Sequence, residues 1–243
     1  MSKATAKPPG ESCLTCTNRA HSNWRLLSEE ELTRLDRSRR VVSRAPGEAI
    51  FEQGDPATAV YCVRCGAVTL RHLDSDGNSV TLGLRYPGDL LGQHALLAGG
   101  EQRVSAEAIG PTTVCVIDGP AVNDSLARNP ELARDMLRRA ALELEQAQDS
   151  IVRSATLSNR ARLITLLLQL LRRHGEPAPD GCFHLHLPLP RRDLASMIGI
   201  RHETLSRLIA RLESEGLARF SGRKVTVPSL PALTAALRAG NEN

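Results

Sequence analysis

The sequence predicts an α+β protein with three parts: an N-terminal β-roll, one long helix and a C-terminal winged helix-turn-helix. Three observations carry that prediction. Residues 41–117 break into short runs rich in Val, Leu, Thr and Tyr, separated by turn signals such as GDP, SDGN and PGD. From about residue 120 the apolar period lengthens to that of a helix. Near the C-terminus, two amphipathic segments joined at Gly199-Ile200 precede an alternating hairpin. These textures divide the chain into a cysteine-containing leader (1–25), a β-roll (26–120), a long helix (121–157) and a winged helix-turn-helix domain (158–243).

The leader is polar and has no clear periodicity. Ser28, followed by Glu29, Glu30 and Glu31, reads as a helix cap, and a short helix fits through about Arg37. VYCVRCGAVTLRHL, SVTLGLRY, VSAEAI and TTVCVI read as strands, with Asp76-Gly77-Asn78 as a hairpin turn. A length of 243 residues suits two modest domains, and a 41% hydrophobic content excludes wholesale disorder. No apolar run approaches the roughly 18 residues of a membrane span, and the N-terminus lacks the apolar core of a signal peptide. The expectation is a soluble, cytoplasmic protein with no membrane partner.

In the long helical stretch Leu132, Met136, Ala140, Leu144, Ala147, Ile151 and Leu157 share one stripe. The helix is longer than a single roll needs, so the stripe predicts packing against its own twin. The expected homodimer contacts are Met136, Ala140, Leu144, Ala147 and Ile151. Beyond it, RARLITLLLQLLRRHG reads as a helix, EPAPDG as a loop and FHLHLPL as a strand.

Charge is distributed unevenly. Residues 1–152 carry 17 Lys+Arg against 20 Asp+Glu, whereas residues 153–243 carry 14 against 7. A basic C-terminal part predicts a polyanionic partner, and the helix-turn-helix makes that partner double-stranded DNA. The second helix, RHETLSRLIARLESEG, presents His202, Glu203, Ser206 and Arg207 toward base edges. Arg207 can pair with guanine in bidentate fashion and Glu203 can accept from cytosine N4. Arg201, Arg211, Arg223 and Lys224 suit phosphates, with Ser221-Gly222 at the tip of the wing.

Together these parts resemble the CRP/FNR superfamily of bacterial transcription regulators. The segment HETLSRLIARLESEGL is similar to the family's recognition helix, E-x-x-S-R, in the form found in the FNR branch. PGEAIFEQGDPATAVYCVRCGAVTL and YPGDLLG resemble its barrel strands and central turn. The resemblance implies a cyclic-nucleotide-binding-like jelly roll and a homodimer on a TTGAT-like palindrome read by Glu203, Ser206 and Arg207. It also implies contact with RNA polymerase, for which the EPAPDG loop lies in a suitable place.

Three signals compete. The family's nucleotide pocket uses G-E-L and R-[ST]-A, but Gly92-Gln93-His94 lacks the carboxylate and Arg103-Val104-Ser105-Ala106 interrupts the second motif. These departures argue against a cyclic nucleotide. Six cysteines outside a secreted context point to metal or thiol redox chemistry, and Cys13-Leu14-Thr15-Cys16 can grip one face of a [4Fe-4S] iron–sulfur cluster. Cys115 resembles the lone downstream ligand of FNR-type oxygen sensors, but the further leader cysteine of that family is missing. Cys65, Cys62 or His21 could supply the fourth ligand, and Cys62 and Cys65 should face opposite sides of their strand. A Cys13/Cys16 dithiol is the other redox reading. Haem or nitric oxide sensing would draw on His72, His94 or Met136, none in a distinctive context.

The expectation is a non-enzyme. There is no nucleophile elbow, P-loop or HExxH, and the CxxC lacks the βαβ setting of a thiol oxidoreductase.

Overall fold

The computed structural model describes residues 12–179 and 181–239. The chain divides into two compact units that meet between Leu144 and Glu145, inside one helix.

In the first unit, two single turns of 3-10 helix (Arg19–His21 and Asn23–Leu26) precede α1 (Glu29–Arg37). Ser28 caps α1 as expected: its hydroxyl accepts from the Glu31 N–H, and the Glu31 carboxylate accepts from the Ser28 N–H. Eight strands follow, β1 (Arg39–Arg44), β2 (Ala49–Phe51), β3 (Ala59–Cys65), β4 (Val68–Leu73), β5 (Ser79–Arg85), β6 (Leu90–Leu91), β7 (Ser105–Ala108) and β8 (Thr112–Asp118). A short α2 (Gln93–Ala98) lies between β6 and β7. The strands form two antiparallel sheets, ordered β1-β8-β3-β6 and β2-β7-β4-β5. This is the predicted roll.

Its core is layered. Phe51, Ala59, Val63, Val68, Ala106, Val114 and Val116 fill the space between the sheets. The outer face of the first sheet, through Val60, Cys62, Leu90, Cys115 and Ile117, packs against Trp24, Leu27, Leu32, Leu35, Val122, Leu132 and Met136. Because β3 is covered on both faces, it reads as a near-continuous apolar run rather than an alternation. The tight turn after β3 uses Gly66 at φ +86°, where a Cβ would stand 2.6 Å from the Pro111 carbonyl.

The helical stretch after β8 is two helices, α3 (Gly119–Arg128) and α4 (Pro130–Thr156). Pro130 has no N–H to continue α3, and Asn129, in extended conformation, accepts the Leu132 N–H with its side chain to start α4.

The second unit contains α5 (Asn159–His174), β9 (Gly175–Pro177), β10 (Phe183–His186), α6 (Arg191–Met197), α7 (His202–Ser214), β11 (Arg219–Ser221), β12 (Lys224–Val227) and α8 (Leu230–Ala239). Its sheet has the order β11-β12-β10-β9. The start of the predicted EPAPDG loop is therefore strand, because Glu176 and Pro177 pair with His184 and Phe183. Leu163, Ile164, Leu167, Leu185, Leu194, Leu205, Leu212 and Val225 are fully or almost fully buried here.

Candidate DNA-reading helix and thiol pocket

The helix-turn-helix is α6 and α7, joined by a turn in which Gly199 takes φ +67°. A left-handed residue at this point lets the chain reverse without strain. Leu205, Ile209 and Leu212 bury one face of α7, while His202, Glu203 and Arg207 are exposed on the other. Ser206 is half-buried, and its hydroxyl donates to the His202 carbonyl at 3.1 Å. All four expected base readers thus occupy the first two turns of one helix. Arg201 precedes α7, and Arg223 and Lys224 stand exposed at the turn between β11 and β12. Arg211 differs from the other expected phosphate contacts. Its Nε donates to Glu215 at 2.9 Å, and Glu215 also takes Arg160 Nη2 at 2.5 Å. These bonds, Arg160's first, hold the Glu215 carboxyl below its usual range despite some loss of hydration.

On α4, Met136 is buried in the roll's own outer core. This corrects its assignment to a twin-facing stripe. Leu137, one position on, is 72% exposed and continues through Leu144 (59%) and Ile151 (68%) at a spacing of seven. Ala140, half-buried, and Ala147, exposed, lie between them on the same stripe.

The six cysteines are all free. Cys13, Cys16, Cys62 and Cys115 line one pocket together with Trp24, Arg39 and Arg64, beneath the leader on the outer face of the first sheet. Cys62 and Cys115 are direct cross-strand partners on β3 and β8. A register shift between Val63 and Cys65 leaves Arg64 on the Cys62 side. Cys65 pairs with Thr113 and is not part of the pocket lining, nor is His21, which is exposed. Of the candidates for a fourth ligand, the structure brings only Cys62 to the other three thiols.

Local chemistry favours the protonated thiols. Burial and the neighbouring Asp36 push the Cys13 thiol up to about 12. Burial also raises Cys62 and Cys115, and for Cys115 the opposing pull comes from Arg39, whose Nη1 donates to its Sγ at 3.6 Å. The Trp24 indole N–H is buried without a hydrogen-bond partner among the described residues. Among those residues, no three His, Cys, Asp or Glu side chains are grouped closely enough to hold a single metal ion.

Sequence reasoning missed how the leader is held. Asn18 Nδ2 donates to the Arg64 carbonyl at 2.6 Å, and the Cys13 N–H donates to Asp36 at 2.9 Å. Asn23 and Arg25 both donate to Asp135 of α4. The apolar signal was present in Trp24 and Leu27, but the core they join is gathered from β3, β8 and the helices beyond, as far along the chain as Met136.

Gly92 opens α2, Gln93 begins it, and Arg103 is exposed with its carbonyl 3.0 Å from His72 Nδ1.

Comparison with known proteins places both units. Residues 41–129 match the family model of the cyclic nucleotide-binding domain, and residues 161–236 match that of the Crp-like helix-turn-helix domain. The nitrogen fixation regulation protein FixK of Bradyrhizobium diazoefficiens is 33% identical over 214 residues, 86% of this chain and 87% of that one. The chain belongs to the CRP/FNR family of transcription regulators. The fumarate and nitrate reduction regulatory protein of Escherichia coli is 27% identical to this regulator over 211 residues, covering 85% of this chain and 82% of that one. Among solved structures, FixK2 from Bradyrhizobium japonicum superposes with a TM-score of 0.72 at 29% identity, over 81% of this regulator and 96% of that chain. The relatives are transcription regulators, and no helix among the described residues is long and apolar enough to cross a membrane.

Proposed function

We propose that this regulator binds a TTGAT-like palindrome as a homodimer and reads oxygen or redox state at the thiol pocket between leader and roll. The observation that carries the sensing half is the convergence of Cys13, Cys16, Cys62 and Cys115 on one pocket beside two arginines. Its donor set suits an iron–sulfur cluster better than a lone ion. Thiolates that each bind a different iron need not meet at one point, and these do not. The guanidinium groups of Arg39 and Arg64 offset thiolate charge, and the unpartnered Trp24 N–H offers a donor. Cys13, Cys16 and Cys115 would hold the cluster, which when bound supplies oxygen-labile iron–thiolate bonds.

The chain's own residues then link the pocket to the dimer seam. The leader that carries Cys13 and Cys16 also carries Asn23 and Arg25, whose bonds to Asp135 end two residues before Leu137, the start of the exposed seam. A change in how the leader is held alters the start of α4, and α4 sets the spacing of two recognition helices roughly 34 Å apart on DNA. Glu203, Ser206 and Arg207 read the half-site, Arg201, Arg223 and Lys224 fix the backbone, and RNA polymerase is the downstream partner. The relatives' names tie them to nitrogen fixation and to fumarate and nitrate reduction, which fits control by oxygen supply.

The test is iron and sulfide analysis of protein purified without oxygen, paired with binding to a TTGAT palindrome before and after exposure to air. About four irons per subunit and air-sensitive binding support the reading. An iron-free protein whose binding responds to thiol oxidants transfers the sensing role to a Cys13/Cys16 dithiol. Binding indifferent to both would end the redox reading.

A further inference from the structure

We propose that Cys62, on β3, is the fourth thiolate ligand of that cluster and takes the place of the leader cysteine this chain lacks. The inference rests on the cluster reading above and names a residue that the reading leaves open.

Register carries the argument. Cys62 stands directly opposite Cys115 in the antiparallel β3–β8 ladder. Residues so paired hold their Cβ atoms about 5 Å apart on the same face of the sheet, fixed by backbone hydrogen bonds rather than by loop conformation. Two thiols are thus presented side by side on a rigid floor, and the leader lays Cys13 and Cys16 over them. Cys62 and Arg64 line the pocket, whereas Cys65, beyond the register shift that follows Val63, does not. His21 is exposed and outside the lining.

As each iron–sulfur bond forms, one thiol proton leaves to solvent, with no change in oxidation state. Four thiolates on a [4Fe-4S] core of charge +2 leave a net charge of −2. Arg64, buried and lining the pocket, opposes that charge, and Arg39 adds to that opposition while also pairing with Asp36 at 2.6 Å. A core cysteine kept only for packing would not need guanidinium groups beside it; cavities of apolar purpose are lined by apolar side chains.

The experiment uses the full chain purified without oxygen, as wild type, Cys62→Ala, Cys62→Ser, Cys65→Ala and His21→Ala. Iron, acid-labile sulfide, visible absorption and electron paramagnetic resonance are measured, with circular dichroism of the metal-free proteins to check folding. Wild type, Cys65→Ala and His21→Ala should each hold about four irons. Cys62→Ala should lose the cluster or keep a three-iron remnant with its own paramagnetic signal. Cys62→Ser keeps the size of the side chain and should shift the iron–ligand stretching bands in resonance Raman spectra, a readout that does not depend on cluster yield. A Cys62→Ala protein with wild-type iron content overturns the inference while leaving the cluster reading intact. Loss confined to Cys65→Ala or His21→Ala does the same. A wild type without iron, or one holding a single zinc ion, overturns both.

Discussion

Arg25 Nη2 lies 2.6 Å from Asp135 Oδ1, joining the leader to the first turns of the long helix. Asp135 is buried, and it also receives Asn23 and Arg139, with Arg138 at 3.7 Å. Burial disfavours its charge, but Arg25 and Arg139 outweigh that and hold the carboxyl below its usual range.

Asp135→Asn should therefore destabilise the first unit by about 2 kcal/mol at neutral pH, the scale of losing hydrogen bonds to a charged group. The sign of its pH dependence follows from the depressed carboxyl. The stabilisation is complete above the unfolded value near 4 and disappears as pH falls through the lower folded value. Urea unfolding of wild type and variant should thus differ at pH 7 and converge in strong acid. A gap that persists at low pH would mean that packing, not charge, sets the effect.

The same contact offers a test of coupling. Arg25→Ala should leave iron content unchanged but reduce the difference in DNA affinity between anaerobic and air-exposed protein. A wild-type response would show that the signal reaches α4 by another route.

The two faces of α4 should separate cleanly. Met136→Ala empties space in the roll's outer core and should cost about 2–5 kcal/mol without changing the oligomeric state. Leu144→Glu acts on an exposed position and should leave subunit stability near wild type while producing monomers in sedimentation. Dimers retained by Leu144→Glu would remove the Leu137–Leu144–Ile151 seam from the interface.

On DNA, Arg207→Ala and Glu203→Ala should each lose about 1–3 kcal/mol of discrimination at one base pair of the half-site. Arg223→Ala and Lys224→Ala should instead weaken all sequences alike and reduce the slope of log affinity against log salt by about one each. Arg211, already engaged by Glu215, should show a smaller salt effect than Arg223. Titrations against matched and mismatched palindromes at several salt concentrations distinguish these outcomes.

Gly66 provides a purely structural check. Its positive φ and the Pro111 carbonyl 2.6 Å from a built Cβ leave no room for a side chain. Gly66→Ala should lower the melting temperature of the roll by several degrees, corresponding to about 1–3 kcal/mol of strain. An unchanged melting temperature would mean that the β3–β4 turn shifts freely.

The sequence by itself determined what depends on neighbours along the chain. The Ser28 capping box, the strand runs, the turn at Gly199 and the order of polar and apolar residues on α7 are set by spacings of a few residues, and each is where local patterning put it. The helix-turn-helix motif and the CxxC belong to the same class. Tertiary structure decided which face each element turns inward. The stripe on α4 had the right period, but only the covering roll determines that Met136 goes in and Leu137 stays out. In the same way, two cysteines three apart on β3 are equivalent along the chain. Pairing of Cys62 with Cys115, from a strand more than fifty residues away, is what separates them. The leader's hold on Asp135 is the extreme case: Arg25 and Asp135 are 110 residues apart, and no periodicity in either segment encodes their meeting. Such pairings arise because backbone hydrogen bonding and burial are satisfied over the whole sheet at once, and that requirement is not written in any one stretch of the chain.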